Sequence, residues 1–195
     1  MKNTIKYLFV VVLISTFNHA VAQKNDGPFG VQMGMSLEEI KSNLPKEAEY
    51  HEENESMFSY HAPSSVEIID GGYFFMTTSE TGLCRVAGMT KETDRESSVV
   101  STYNILKKAL TDKYGKPKII ENNANKSLGL IPALSMERAI HGSFWGDKLP
   151  GDFKEIALEI LPSTKFNTAK VRVLYDFKNS KKCFEIINNR RTQGL

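Results

Sequence analysis

The sequence of 195 residues has few of the residues on which common catalytic motifs depend. It has two cysteines, four histidines and one tryptophan. It contains no Gly-x-Ser-x-Gly nucleophile elbow and no glycine-rich phosphate loop ending in Lys-Ser/Thr. It also has no basic stripe of the kind that neutralises several phosphates on one face. These absences argue against the commonest hydrolases, nucleotide-dependent enzymes and nucleic-acid-binding proteins.

The longest apolar run lies at the N-terminus and has the layout of a secretory signal. Lys2 and Lys6 precede an apolar segment at 7–14, and Ala20-Val21-Ala22 precedes Gln23. A cationic start, a short apolar stretch and small residues before the cleavage point are the three parts of such a signal. We therefore expect cleavage near Ala22 and a periplasmic or secreted mature protein.

Removal of residues 1–22 changes the charge of the chain. The full sequence has 25 basic and 23 acidic side chains, and two lysines leave with the signal, so the mature chain is formally neutral. It keeps 173 of 195 residues, enough for one domain or two small ones. No later segment is apolar enough to span a bilayer. We expect a protein partner in the periplasm or envelope, and no nucleic-acid partner.

Cys84 and Cys183 are the two cysteines, and an exported protein meets an oxidising compartment. A disulfide between them would close a loop of about 100 residues and stabilise the fold by up to roughly 4.7 kcal/mol in the chain-entropy model. The alternative is two separate buried thiols, because free cysteine packs as a small apolar residue.

Residues 23–96 are predicted to form a helix followed by antiparallel strands. Ser36 can cap the helix start and Glu39 can reach back to it in a capping box. Pro45 limits this helix because its ring cannot continue the hydrogen-bond ladder. Strand-like runs separated by glycine turns follow at residues 57–62, 73–78 and 83–89.

Residues 97–195 repeat this order. Apolar residues at helical spacing predict a helix at 98–114, which Gly115 and Pro117 end. Strands are predicted at residues 118–121, 138–145, 155–161 and 169–177, and a last helix at 181–189. The fold class is therefore α+β, with helices packed on one face of an antiparallel sheet. The two halves form either tandem helix-plus-meander units or one continuous domain.

The opening of the mature chain resembles that of a known group of bacterial envelope domains. Phe29-Gly30, Gly34-Met35-Ser36 and Glu38-Glu39-Ile40 are similar to the opening of the SmpA/OmlA (BamE) and β-lactamase-inhibitor-protein-like type, and Tyr114-Gly115-Lys116-Pro117 resembles the corresponding helix exit. The resemblance implies a helix pair on a small antiparallel sheet and a binding role, in outer-membrane assembly or as an inhibitor of another protein. The chain departs from the BamE-like pattern at Gln23, where a lipoprotein has cysteine.

Histidine patterns do not predict a metal site. His51 begins the run His-Glu-Glu-Asn-Glu, which lacks the second histidine of a helical zinc motif and is interpreted as an acidic surface loop. His61 and His141 are interpreted as ordinary polar residues. We predict no catalytic residue, no metal and no cofactor.

Two segments are possible partner contacts. The stretch 122–137 is predicted to be a long loop with an apolar cluster that includes Leu130 and Ile131, and such loops are commonly functional or folded back on the core. Phe144 and Trp145, at a strand end, present the same choice between interface anchor and core. The leading hypothesis is a non-catalytic exported protein that binds another macromolecule, as an envelope accessory or as an inhibitor or immunity factor. The alternatives are a secreted hydrolase of envelope components and a small-ligand carrier.

Overall fold

The computed structural model describes residues 27–43, 49–54, 57–61, 67–123, 127–146, 148–163 and 167–192. The predicted signal at 1–22 lies outside these ranges, and so does its cleavage point. No helix within these ranges combines the length and apolar character needed to cross a membrane.

The strands of the described ranges form one antiparallel sheet of eight. Its order is β1-β2-β3-β4-β8-β7-β6-β5, so that two four-stranded meanders meet where β4 pairs with β8. The α+β class predicted from the sequence is confirmed. The strands are β1 (Glu49–Asn54), β2 (Met57–His61), β3 (Gly72–Thr78), β4 (Gly82–Met89), β5 (Lys118–Asn123), β6 (Ala139–Trp145), β7 (Phe153–Pro162) and β8 (Ala169–Phe177).

The helices begin and end close to the residues that the capping signals indicate. Glu39 accepts a hydrogen bond at 2.8 Å from the Ser36 amide and the Glu39 amide donates to the Ser36 hydroxyl, so the predicted capping box is present. Gly115 follows the long helix with a φ of +85°. The helices are α1 (Leu37–Asn43), α2 (Glu96–Tyr114), α3 (Leu130–Ser135) and α4 (Ser180–Thr192), preceded by a short 3-10 turn at Pro28–Gly30.

Alternate residues of the central strands point to opposite faces of the sheet. On β8, Val171 and Val173 belong to the main hydrophobic core, whereas Arg172 and Leu174, which alternate with them, point the other way. We call the surface that carries Val171 and Val173 the core face, and the opposite surface the second face. Helices α2 and α3 bury apolar side chains in the core-face cluster: Val99, Tyr103 and Leu110 from α2, and Leu130, Ile131 and Leu134 from α3.

Helix α4 packs against the second face, unlike the other helices. Cys84, Cys183 and Ile187 form a separate buried cluster, against which Met76 packs. Met76 alternates along β3 with the core residue Phe75, so it points to the second face. The Sγ atoms of the two cysteines are 2.07 Å apart, which confirms their predicted pairing. The α4 contact therefore departs from the single helix-covered face that the sequence indicated.

Two elements differ from the sequence-based prediction. The acidic run beginning at His51 predicts a surface loop, but residues 49–54 form the edge strand β1. This strand is held by backbone pairing with β2, which requires no apolar alternation. Residues 130–135, within the predicted loop, form α3, where Leu130, Ile131, Ala133 and Leu134 are buried. Burial of this apolar cluster against β6 and β7 stabilises a helix too short to form alone.

Candidate functional site

The middle of the second face is an apolar groove over β2, β3, β4 and β8. Cross-strand pairing places Phe74 opposite Ala87 and Ala87 opposite Leu174, which brings together residues up to a hundred positions apart in the chain. The groove has a volume of about 180 Å³. Its apolar lining residues, all partly exposed except the buried Phe75 and Ala87, are Met57, Phe74, Phe75, Met76, Ala87, Met89 and Leu174.

Two arginines border this groove, and each is paired with a carboxylate on the neighbouring strand. Arg85 of β4 lies opposite Asp176 of β8, and its guanidinium donates two hydrogen bonds to the two carboxylate oxygens, one of them at 2.7 Å. Arg172 of β8 lies opposite Glu159 of β7 and donates from Nε at 3.2 Å and also from Nη2. Charge-assisted pairs of this kind fix the planar guanidinium groups on the sheet.

Helix α4 contacts Arg85, one of the residues that line the groove. The Arg85 guanidinium lies 4.5 Å from the centre of the Phe184 ring, a cation–π distance. At the start of the helix, the Asn179 amide donates to the backbone carbonyls of Thr81 and Leu83, each at 3.0 Å. These contacts and the disulfide hold α4 at the β3–β4 turn.

The second face continues across β6 and β5. A Cβ atom built on Gly142 would lie 2.9 Å from the Phe144 ring, so this ring leans over the glycine. Ile120 lies opposite Gly142 and borders, together with Phe144, a cavity of about 410 Å³ whose lining also includes Lys116, Lys118 and Glu155. Ile140 is 57% exposed on the same face. Apolar side chains thus extend along the second face to the β5 edge.

A polar cluster on the core face offers the best geometry for acid–base chemistry. The Tyr103 and Ser143 hydroxyls are 2.7 Å apart, and Lys107 donates to Glu121 at 3.0 Å. His141 Nε2 lies 3.7 Å from the Glu121 carboxylate. However, Ser143 is fully buried and its hydroxyl is engaged by Tyr103, so it presents no nucleophile to solvent. The arrangement serves the packing of α2 on β5 and β6.

The ionisation of this cluster follows from its burial and its neighbours. Burial raises the pKa of Tyr103 to about 12. Burial also lowers the pKa of His141, because it disfavours the imidazolium more than the Glu121 carboxylate favours it. Burial opposes ionisation of Glu121, but the Lys107 hydrogen bond and the charges of His141 and Lys107 outweigh it and hold its pKa below the ordinary value. At neutral pH the carboxylate is therefore charged and Tyr103 is neutral.

No family model, curated protein or solved structure matches this chain. The relationship to bacterial envelope domains consequently remains a prediction from short sequence motifs.

The four residues predicted as partner contacts fall into two groups. Leu130, Ile131 and Trp145 are 9%, 2% and 3% exposed, and the Trp145 indole donates at 2.7 Å to the Gly115 carbonyl. Their side chains belong to the core of this structure. Phe144 lies on the second face and is half-buried. Of the histidines considered for metal binding, His141 contacts Glu121, and the side chains of His51 and His61 lie outside the described residues.

Sequence reasoning missed the groove itself. Arg85 and Asp176 are separated by 91 positions, and nothing in either local sequence indicates the other. One signal was present: Phe74, Met76, Arg172 and Leu174 occupy alternate positions of predicted strands. Partly apolar residues on both faces of a strand indicate that its second face is also covered or bound.

Proposed function

We propose that this chain is an exported, non-catalytic protein that binds another protein through the second face of its sheet. The observation that carries this proposal is the composition of the groove, where partly exposed Phe, Met and Leu side chains surround two arginines. Aromatic residues, methionine and arginine are enriched in protein interfaces relative to other surfaces. The face continues towards Phe144, so the contact area is not confined to the groove.

The charges of this face suit a partly apolar contact. Arg85 and Arg172 are each paired within the chain, and their side chains are 31% and 30% exposed. A partner that covers them desolvates ion pairs whose members already satisfy each other, which costs less than burying an unpaired charge. The apolar side chains around them then contribute to binding in proportion to the area that the partner removes from water.

Export is supported by two independent features. The N-terminal sequence has the three parts of a secretory signal, and the two cysteines of the chain lie at disulfide distance. Disulfides persist in oxidising compartments such as the periplasm. A periplasmic binding protein of this kind fits the role of an envelope accessory, an inhibitor or an immunity factor.

Substitution of Leu174 tests the proposal. Leu174→Glu places a carboxylate in the groove, whereas Ile105→Glu changes an isoleucine that is 57% exposed on α2. A partner captured from periplasmic extract is identified, purified and titrated against the wild type and both variants. We expect Leu174→Glu to weaken the complex by at least about tenfold, since charge in an apolar contact costs well over 1.4 kcal/mol.

The titration needs a control variant and a check that both variants are folded. Ile105→Glu is expected to bind as the wild type does, and both variants must retain the wild-type near-ultraviolet circular dichroism. Equal affinity of the folded Leu174→Glu variant and the wild type would reject the second face as the binding surface.

A further inference from the structure

Among the strands that the structure describes, β5 is one edge of the sheet and has the features of a pairing site. It pairs with β6 on one side and ends the strand order on the other. Residues 118–122 are all exposed, although they form a regular strand. An edge strand presents a row of backbone N–H and C=O groups that can pair with a further strand.

Exposed apolar side chains concentrate at this edge. The large apolar side chains classed as exposed within the described ranges are Ile105, Ile119, Ile120, Met136 and Ile140. Three of them lie on β5 and β6. Ile119 is 49% exposed on the core face and Ile120 is 37% exposed on the second face. These two isoleucines lie between Lys118 and Glu121, so apolar side chains occupy the centre of the edge strand and charged residues flank them.

We propose that β5 pairs with β5 of a second copy of this chain, forming a symmetric antiparallel dimer with Ile120 on the twofold axis. A twofold axis perpendicular to the sheet keeps the second faces of both copies on the same side. In this register Ile120 lies opposite Ile120 of the second copy, Ile119 lies opposite Glu121, and Lys118 lies opposite Asn122. The Ile120 pair is apolar. The Ile119–Glu121 pair sets an apolar side chain against the methylene groups of a glutamate, and the Lys118 ammonium group can donate a hydrogen bond to the Asn122 side chain.

The neighbouring symmetric registers are less favourable. A shift that centres the pairing on Glu121 places two carboxylates directly opposite each other, which destabilises a sheet. A shift that centres it on Ile119 brings Pro117 into the paired segment, and proline has no N–H to donate. The register centred on Ile120 avoids both and buries an isoleucine that has only Gly142 opposite it within its own chain.

The opposite edge of the sheet is protected from such pairing. The pairing of β1 with β2 has a bulge between Glu52 and Asn54. Charged residues and bulges are the devices that natural sheets use to block edge pairing. Pairing through β5 alone closes after two copies, because each copy offers one such edge.

The β5 edge is separate from the groove, which lies over β2, β3, β4 and β8, several strands away. Dimerisation would place two second faces side by side in one continuous surface. The test therefore measures self-association of the purified, disulfide-bonded protein without any partner. A failure of this test leaves the groove titration unaffected.

Sedimentation equilibrium of the wild type and two isoleucine variants tests the dimer. Ile120→Lys places two ammonium groups opposite each other at the axis, and we expect it to raise the dimer dissociation constant at least about tenfold. Ile105→Lys makes the same change on α2 and is expected to leave the constant unchanged. A wild type that stays monomeric at its highest soluble concentration overturns the proposal. Equal effects of the two folded variants also overturn it.

Engineered cysteines test the register. In the proposed pairing, Ile120→Cys brings two thiols to opposed positions with Cβ atoms about 4.5–5.5 Å apart, whereas Ile119→Cys places the equivalent atoms about 7–8 Å apart. We expect mild oxidation to convert Ile120→Cys into a covalent dimer on a non-reducing gel and to convert little of Ile119→Cys. Equal cross-linking of both, or preferential cross-linking of Ile119→Cys, rejects this register.

Discussion

The hydroxyl contact between Tyr103 and Ser143 provides a direct test of how α2 is fixed to the sheet. The two oxygen atoms are 2.7 Å apart, and both residues are 0% exposed. Tyr103→Phe deletes one oxygen and leaves the Ser143 hydroxyl buried without its partner. A buried polar group that loses its hydrogen bond costs about 1–3 kcal/mol, and we expect Tyr103→Phe to lower the free energy of unfolding by that amount.

The reverse deletion is expected to cost less. In Ser143→Ala the Tyr103 hydroxyl keeps the Glu121 carboxylate, whose oxygen lies 3.4 Å away and can accept its proton. We expect a loss of about 0.5–1.5 kcal/mol, the net contribution of one hydrogen bond. In the double variant no orphan hydroxyl remains, so adding Ser143→Ala to Tyr103→Phe is expected to restore part of the lost stability instead of lowering it further.

Urea unfolding with the disulfide intact measures the complete cycle. In a thermal unfolding experiment, a loss of 1 kcal/mol in the free energy of unfolding lowers Tm by about 2–4 °C for a chain of this size. Ser101→Ala, which deletes an exposed hydroxyl on the same helix, is the matched control and is expected to stay within about 0.5 kcal/mol of the wild type. Strict additivity of the two substitutions, or a Tyr103→Phe cost no larger than that of the control, would refute this account of the contact.

Three further changes have defined outcomes. Replacing both Cys84 and Cys183 by alanine opens a loop spanning 99 positions and is expected to cost about 2–5 kcal/mol in urea unfolding, a loss that reduction of the wild type should reproduce. Gly115→Ala forces a residue with a Cβ to adopt a φ of +85° and is expected to cost about 1–3 kcal/mol, whereas Gly146→Ala, which meets no atom within 4 Å and has no positive φ, should be nearly neutral. Burial holds the pKa of His141 below 6.5, so the unfolded state takes up a proton first as the pH falls, and the free energy of unfolding should decline from about pH 6.5 downwards. His141→Gln should flatten that part of the stability profile. An unchanged slope would contradict the assignment to His141.

Local sequence predicted the elements whose signals lie within a few neighbouring residues. The Ser36–Glu39 capping box, the helix ended at Gly115 and the alternating strand at 169–177 depend on contacts within one turn or one strand. Edge strand β1 has little apolar alternation, so its sequence does not indicate a strand. Backbone pairing with β2 makes it one. Helix α3 is too short to be stable alone and depends on burial against β6 and β7.

The candidate surfaces depend on contacts between distant parts of the chain. Ala87 and Leu174 form one groove because β4 pairs with β8, the junction between the two meanders. Burial of Trp145 and Ile131 likewise depends on which strands and helices surround them, since an apolar side chain at a strand end is equally suited to a core or to an interface. Only Phe144 of the four predicted contacts lies on the face proposed for binding.

The sequence by itself determined the α+β class and most element positions, and it allowed a single cysteine pair, because alternation, capping and composition are properties of the linear chain. The structure decided that the two cysteines are bonded. The tertiary structure decided that the two meanders share one sheet, that α4 packs on the second face, and that β5 remains an edge. These features depend on strand order and cross-strand register. Both are selected by the total burial of the folded chain, which no single segment encodes.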